Sequence, residues 1–350
     1  MTYSEIFGQR LRNARIMNGY SMEELSNLIG NAVSKMSISK YESGKMTPGS
    51  EVVLKFADAL GLPIDFFFRP FQFEINEIQF RKKSTLSKKQ EDSIKETVAD
   101  KIERYISIEE ICNSLVPFEK PVKKVDSVDD VKQHAQKLRK DWKLGEDGIV
   151  NVIELLEDHG IKVVEVDAPQ SFDGFSAYVN RKYPVIVLNK TFPSERKRLT
   201  AAHELGHLVL SFSPDLPHKE VERYCYLFGN EFLMPERVFV SIVGKKREMI
   251  TYPELSAIQR CFGLSCDALM RKASDSGIIH PNDYTSYCKR KNADSVFKQK
   301  HEQSLYQDEN SDRFERLVYR ALSSELISDG KAAALLNVPL ETVKKAIALS

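Results

Sequence analysis

Apolar positions in the first 70 residues recur at helical spacing, in short runs separated by turn residues. Phe7, Leu11 and Ala14 share one face, and Asn18-Gly19 interrupts the pattern before a second helix. Ser21 and Glu24 stand at capping-box spacing ahead of Leu25, Leu28 and Ile29, and Gly30-Asn31 ends that stretch. Ser34 to Glu42 predicts a third helix, with Ile38 and Tyr41 inward and Lys35, Met36, Ser37, Ser39 and Lys40 outward, stopped by Ser43-Gly44. Pro48 and Ser50 introduce a fourth helix through Val53, Leu54, Ala57 and Leu60. Pro63 starts a short fifth one that ends in Phe66-Phe67-Phe68. Residues 1–70 therefore predict an all-α module.

The character then changes. Residues 71–126 read as a helical connector, in which Arg81-Lys82-Lys83 and Lys88-Lys89 lead into a long charged helix closed by Pro117 and Pro121. It serves either as a dimerisation arm or simply as a solvated helix. From 127 the periods mix. Helices are expected around Val131–Trp142 and Val150–His159, then strands at 162–166, 174–179 and 185–188, the last two joined by a polar turn at Asn180-Arg181-Lys182. Helices follow at about 194–210 and 219–234, the second ended by Pro235, and 252–274 reads as one more helical stretch. Residues 291–312 are polar and charged and predict a flexible linker. Residues 313–350 recover helical periodicity. Within them Ser328, Ala332 to Val338 and Thr342-Val343 have a helix-turn-helix look, although plain helix packing accounts for the same pattern.

The fold class expected is α+β: an all-α module, a mainly helical domain over 127–290 with a small β-sheet, and a helical carboxy-terminal segment. At 350 residues the chain exceeds what one core serves, in keeping with that division. The formal net charge of +1 means that any nucleic-acid role rests on local features, and residues 1–70 carry eight basic against seven acidic side chains. Cys112, Cys225, Cys261, Cys266 and Cys288 are odd in number and contain no Cys-x-x-Cys pair, so they suggest neither a disulfide framework nor a cysteine zinc knuckle. There is no signal-peptide pattern and no apolar run long enough to span a bilayer, so a cytoplasmic protein without membrane attachment is expected.

The strongest chemical signal is His203-Glu204-Leu205-Gly206-His207. On a helix, positions i and i+4 share a face, so both imidazoles reach one ion while the glutamate beside the first points at water on that ion. Zinc takes neutral nitrogen ligands in tetrahedral geometry and leaves one position open for water. A third protein ligand is required. The next helix offers Glu220, Glu222 and Glu231, and His218 precedes it. Glu222 shares a face with Cys225 and Gly229, which favours it, whereas Glu231 falls about a quarter turn away. His218, Arg223 and Tyr224 are the nearby candidates for stabilising an oxyanion.

These motifs carry a resemblance. His203 to His207, then Glu222-Arg223-Tyr224-Cys225, then Leu233-Met234-Pro235, resemble the ImmA/IrrE family of metallopeptidases over about 130–280. Asp173-Gly174-Phe175 and Pro184 to Asn189 are similar to the strand pair which that family places before its metal helix. Tyr224-Cys225-Tyr226 is bulkier than the alanine-rich version common there. The resemblance implies that His203, His207 and Glu222 bind zinc, that Glu204 is the catalytic base, and that the substrate is a DNA-binding repressor of mobile-element or stress-response genes.

The amino-terminal helices, with Ser34 to Lys45 followed by Thr47-Pro48, resemble the Xre/Cro-type helix-turn-helix over residues 5–69. That resemblance implies a third helix in the DNA major groove, capped by Ser34, with Lys35, Met36, Ser37 and Lys40 facing DNA and Lys45 meeting a phosphate. Asn31-Ala32 lengthens the turn before it. A homodimer is expected, because one such module contacts few phosphates. Two functions compete on this reading. One is a regulator and zinc endopeptidase that cuts a repressor. The other is a DNA-binding autorepressor or antitoxin-like protein whose metal domain senses or binds a partner and cuts little.

Overall fold

A computed structural model describes residues 2–70, 86–119, 123–179 and 182–348. Arg81-Lys82-Lys83, Pro121 and the Asn180-Arg181 part of the expected turn lie outside the described residues. The architecture is α+β with mainly helical content. The chain divides into two compact units, one gathering Met1–Val116, Tyr178–Tyr183 and Asp312–Ser350, the other Pro117–Ala177 and Pro184–Ser311.

The first unit opens with α1 (Tyr3–Met17), α2 (Met22–Leu28), α3 (Lys35–Glu42) and α4 (Ser50–Leu60), followed by a 3₁₀ turn at Ile64–Phe68. Local signals start these helices. Thr2 and Ser21 form reciprocal capping boxes with Glu5 and Glu24, and the Ser34 hydroxyl accepts from the Ser37 amide. Gly30 and Asn31 both take left-handed backbone, with φ of 67° and 55°, and this pair absorbs the longer turn before α3. Phe7, Leu11, Leu25, Ile38, Phe56, Leu60 and Phe67 close the core. Across it Arg15 forks onto Glu42 at 2.6 and 2.8 Å, tying α1 to α3.

The expected connector is different from a free arm or a solvated helix. Its helix, α5 (Lys88–Ile111), buries Ile94, Val98, Ile102, Tyr105, Ile106 and Ile108. Arg10 of α1 donates to both carboxylate oxygens of Glu103 at 2.8 and 2.7 Å, a buried pair that belongs to the core of this unit. The charged residues between the apolar ones had suggested solvation. Here they are paired, Arg104 with Asp100 within the helix, and Asp100 and Glu103 with Arg69 at the end of the helical module.

The second unit begins with β1 (Lys123–Lys124), α6 (Val128–Asp141), α7 (Val152–Asp158), β2 (Lys162–Val166), β3 (Gly174–Val179) as far as Ala177, β4 (Tyr183–Asn189) from Pro184 onward, α8 (Ser194–Val209), β5 (Leu210–Ser211) and α9 (His218–Leu233). In its three-stranded sheet β4 is central, flanked by β3 and by β2, which runs parallel to it with Val164 opposite Val187. The near-continuous apolar run from Val185 to Leu188 matches a strand buried on both faces. β1 and β5 form a separate two-residue parallel pair. α10 (Glu236–Val243) follows. The stretch expected as one helix over 252–274 is two, α11 (Tyr252–Phe262) and α12 (Cys266–Asp275), because Gly263 turns left-handed at φ 62° and Ser265 caps anew.

The expected linker over 291–312 is corrected most. α13 (Pro281–Ala293) and α14 (Ser295–Glu302) occupy its first half. Residues 303–311 then form a strap on the amino-terminal half of α8. Glu195 accepts from the Ser304 hydroxyl at 2.7 Å and from the Leu305 and Tyr306 amides at 2.8 and 3.0 Å. Arg198 and Glu309 form an ion pair whose side chains are 0% and 1% exposed. Composition had suggested disorder because the segment's anchoring is polar and ionic, with few apolar side chains.

Returning to the first unit, α15 (Arg313–Ser323), α16 (Asp329–Leu336) and α17 (Leu340–Ala348) pack Leu317, Val318, Ala332, Leu335 and Val343 with Tyr105 and Ile108 of α5. Asn337, left-handed at φ 55°, makes the turn between α16 and α17.

Candidate metal centre

α8 and α9 carry the candidate centre, and small residues let them approach. A Cβ added to Gly229 would lie 3.0 Å from the His203 amide nitrogen and 3.2 Å from the Ala202 carbonyl carbon, close enough that the facing backbone would have to give way. On the facing helix, a Cβ at Gly206 would meet the Phe228 ring at 3.1 Å and the Cys225 Cα at 3.3 Å. These two glycines, one inside the His203–His207 motif and one on the next helix, set the spacing at which the polar residues meet.

At that spacing His203 Nε2 and His207 Nε2 face each other at 3.1 Å. Glu222, one turn before Cys225, brings its carboxylate oxygens to 3.5 Å from His203 Nε2 and 3.4 Å from His207 Nε2. Burial alone would raise the Glu222 pKa. Hydrogen bonding to the two histidines outweighs it and holds the carboxyl well below the usual range. His207 is fully enclosed, and its Nδ1 lies 3.0 Å from Cys225 Sγ. With Nδ1–H donating to the sulfur, Nε2 presents its lone pair toward His203, the arrangement a metal-ligating imidazole requires. Two imidazole nitrogens and a carboxylate turned to one point form a donor set suited to a divalent cation of borderline softness.

Glu204 projects beside this point and forms with His203 and His207 a cluster whose candidate ligand atoms all lie within 4.8 Å of one another. It is 5% exposed, and the Ser176 hydroxyl of β3 donates to its Oε2 at 2.7 Å. Motif reading missed Ser176. Its signal is a polar residue inside the apolar strand Gly174-Phe175-Ser176-Ala177-Tyr178-Val179. It missed the role of Cys225 as well, which had served only as a marker of the helix face.

The other third-ligand candidates are placed elsewhere. Glu231 accepts from Gln136 at 2.8 Å and from the Glu236 amide at 2.9 Å, and faces Lys272 at 3.6 Å. Glu220 pairs with Arg223 at the surface. His218 is half exposed and 3.6 Å from Glu222 at the rim. Of the oxyanion candidates it alone lies beside the centre, since Arg223 pairs outward and Tyr224 stacks on Phe212. In the amino-terminal unit Ser34, Lys35, Met36, Lys40 and Lys45 are exposed and Ser37 half-buried. Met36 is 72% exposed, a large apolar side chain left in solvent at the start of α3.

This fold and site define a class: a helix-turn-helix regulator whose chain continues, after that module, into a metallopeptidase-type domain. The family model of an IrrE N-terminal-like domain matches residues 156–274, and that of a helix-turn-helix domain matches 11–67. An SPbeta prophage-derived HTH-type transcriptional regulator of Bacillus subtilis is 32% identical over 75 residues, 21% of this chain and 68% of that one. A putative HTH-type transcriptional regulatory protein of Pyrococcus abyssi is 34% identical over 120 residues, 33% of this chain and 34% of its own length. A similarly described protein of Pyrococcus furiosus is 32% identical over 106 residues, 29% and 30% of the two chains. The chain thus spans about a third of the length of the two archaeal relatives. It belongs to the helix-turn-helix transcriptional regulators and carries an ImmA/IrrE-type domain fused to that module.

Proposed function

We propose that the protein is a zinc-dependent endopeptidase of regulatory type that cleaves a DNA-binding repressor, with its amino-terminal unit binding DNA. The observation that carries this reading is the convergence of His203 Nε2, His207 Nε2 and the Glu222 carboxylate, with Glu204 held beside them. His203, His207 and Glu222 would hold the ion. When bound, zinc supplies Lewis acidity to water and to the scissile carbonyl. Glu204 takes the proton from the attacking water and returns it to the departing amine. Ser176 orients Glu204 by donating to one carboxylate oxygen, leaving the other for the water. Cys225 fixes the tautomer of His207. The outward face of α3, with Lys35, Met36, Ser37 and Lys40 behind the Ser34 cap, is the DNA-reading surface, and Lys45 contacts a phosphate. The working form is a cytoplasmic homodimer.

Glu204→Gln is the test. It is expected to retain zinc and to lose cleavage of a co-expressed repressor by about 100-fold or more. Full cleavage by this variant would remove Glu204 from the mechanism. The relatives are described as transcriptional regulators, which supports a second reading: an autorepressor or antitoxin-like protein whose metal domain binds a partner without cutting it. Under that reading the regulatory response survives Glu204→Gln and fails in His203→Ala.

A further inference from the structure

α9 has a second polar face, turned away from the metal-binding residues. Arg223, Tyr226, Leu227, Asn230 and Glu231 of this face line a cavity of about 160 Å³ closed by residues of α6, α10 and α12 and by Ser276. That is smaller than the roughly 300–1,000 Å³ of pockets for drug-sized molecules. Its lining holds four basic side chains, Lys132, Arg223, Arg271 and Lys272, against the three acidic ones Glu231, Glu236 and Asp275. Lys132 is matched within it by Glu236 and Arg271 by Asp275, while Arg223 at its edge uses one guanidinium nitrogen on Glu220 and keeps its others for a further acceptor.

Lys272 differs. It is 7% exposed, and its ammonium is ion-paired with Glu231 at 3.6 Å and lies in the field of Glu236, but both carboxylates are shared, Glu231 with Gln136 and the Glu236 amide and Glu236 with Lys132. Asn230 differs too. It is 5% exposed, its Nδ2 donates to the Tyr226 carbonyl, and among the described residues its buried Oδ1 has no hydrogen-bond partner. A buried acceptor of that kind costs about 1–3 kcal/mol when left unmatched, so it points to a donor from outside the chain.

We propose that this cavity binds a small oxyanion that also carries a hydrogen-bond donor, such as a hydroxy-carboxylate or a monohydrogen phosphate. The anionic oxygens sit on Lys272 and on Arg223 at the rim, and the donor reaches Asn230 Oδ1. The two requirements are separable with probes of matched charge. Glycolate has the donor that acetate lacks, and inorganic phosphate has the donor that sulfate lacks.

The experiment is calorimetric titration of the full-length, zinc-supplemented protein with each of these four anions. Saturable binding is expected for glycolate or for phosphate, about tenfold tighter than for its donorless counterpart, the effect of one hydrogen bond to a buried acceptor. Whichever of the two binds identifies the oxyanion. Lys272→Met is expected to abolish binding. Arg223→Ala, an exposed position that leaves the fold intact, is expected to weaken it about tenfold. Absence of saturable binding by either donor-bearing anion would overturn the proposal. So would equal binding of both members of each pair, or binding that survives in Arg223→Ala at wild-type strength.

Discussion

The helix-turn-helix module and the helix pair of the candidate metal centre both display polar side chains on helices, but they hold them by different means. In the module the first three helices carry their own start signals within three residues, at Thr2 and Glu5, Ser21 and Glu24, and Ser34 and Ser37. The metal centre has no such economy of distance. Glu204 depends on Ser176 of a strand 28 residues earlier, His207 on Cys225 18 residues later, and α8 itself on Glu309 more than 100 residues away. Local instruction tolerates loss piece by piece, whereas long-range instruction concentrates its sensitivity in a few buried contacts.

The largest test of that contrast is Glu309→Gln. It leaves the Arg198 guanidinium enclosed without its charge partner, with the Ile149 and Phe262 carbonyls as remaining acceptors. A destabilisation of about 3–5 kcal/mol is expected, read by urea denaturation of the full chain. Gly229→Ala comes next. The added methyl presses on the His203 amide and separates α8 from α9, with an expected cost of about 1–3 kcal/mol and reduced zinc retention after gel filtration. An unchanged zinc content would break the link between helix spacing and the centre.

Glu195 sharpens the comparison through pH. Burial raises its pKa, but hydrogen bonds from Gln259, Ser304 and the Leu305 amide outweigh that and leave it below the ordinary value of 4.5. A carboxyl depressed on folding stabilises the native state above its unfolded pKa, and that stability is lost as pH falls through the folded value. The stability gap between wild type and Glu195→Gln is therefore expected to be full at neutral pH and to shrink under acid, as followed by denaturation across pH. The smallest effect belongs to the module. Ser34→Ala removes one cap from α3 and is expected to cost about 1 kcal/mol, measured by thermal melting.

The same contrast explains what could be read from sequence. The helices of the module are legible because caps, stops and apolar spacing sit side by side, even to the outward face of α3. The His203–His207 motif is legible for the same reason, being complete within one helical turn. Glu222 needed the next helix, and face-sharing with Cys225 and Gly229 was enough to favour it. Ser176 was beyond reach because its partner is chosen by strand placement. The strap at 303–311 has the composition of a linker because its anchors are Glu195, Arg198 and Glu309, and charge in a polar stretch ordinarily signals solvent. α5 misled in the same way, with buried ion pairs mistaken for an exposed face.

The strap also changes where this domain can be cut or transplanted. A fragment ending near residue 280, at the edge of the family resemblance, would strip away the carboxylate that neutralises Arg198 and the backbone amides that cradle Glu195. The smallest graftable piece runs through Ser311, whose hydroxyl donates to Glu157. Any chimera that inherits the metal motif must inherit that tail with it.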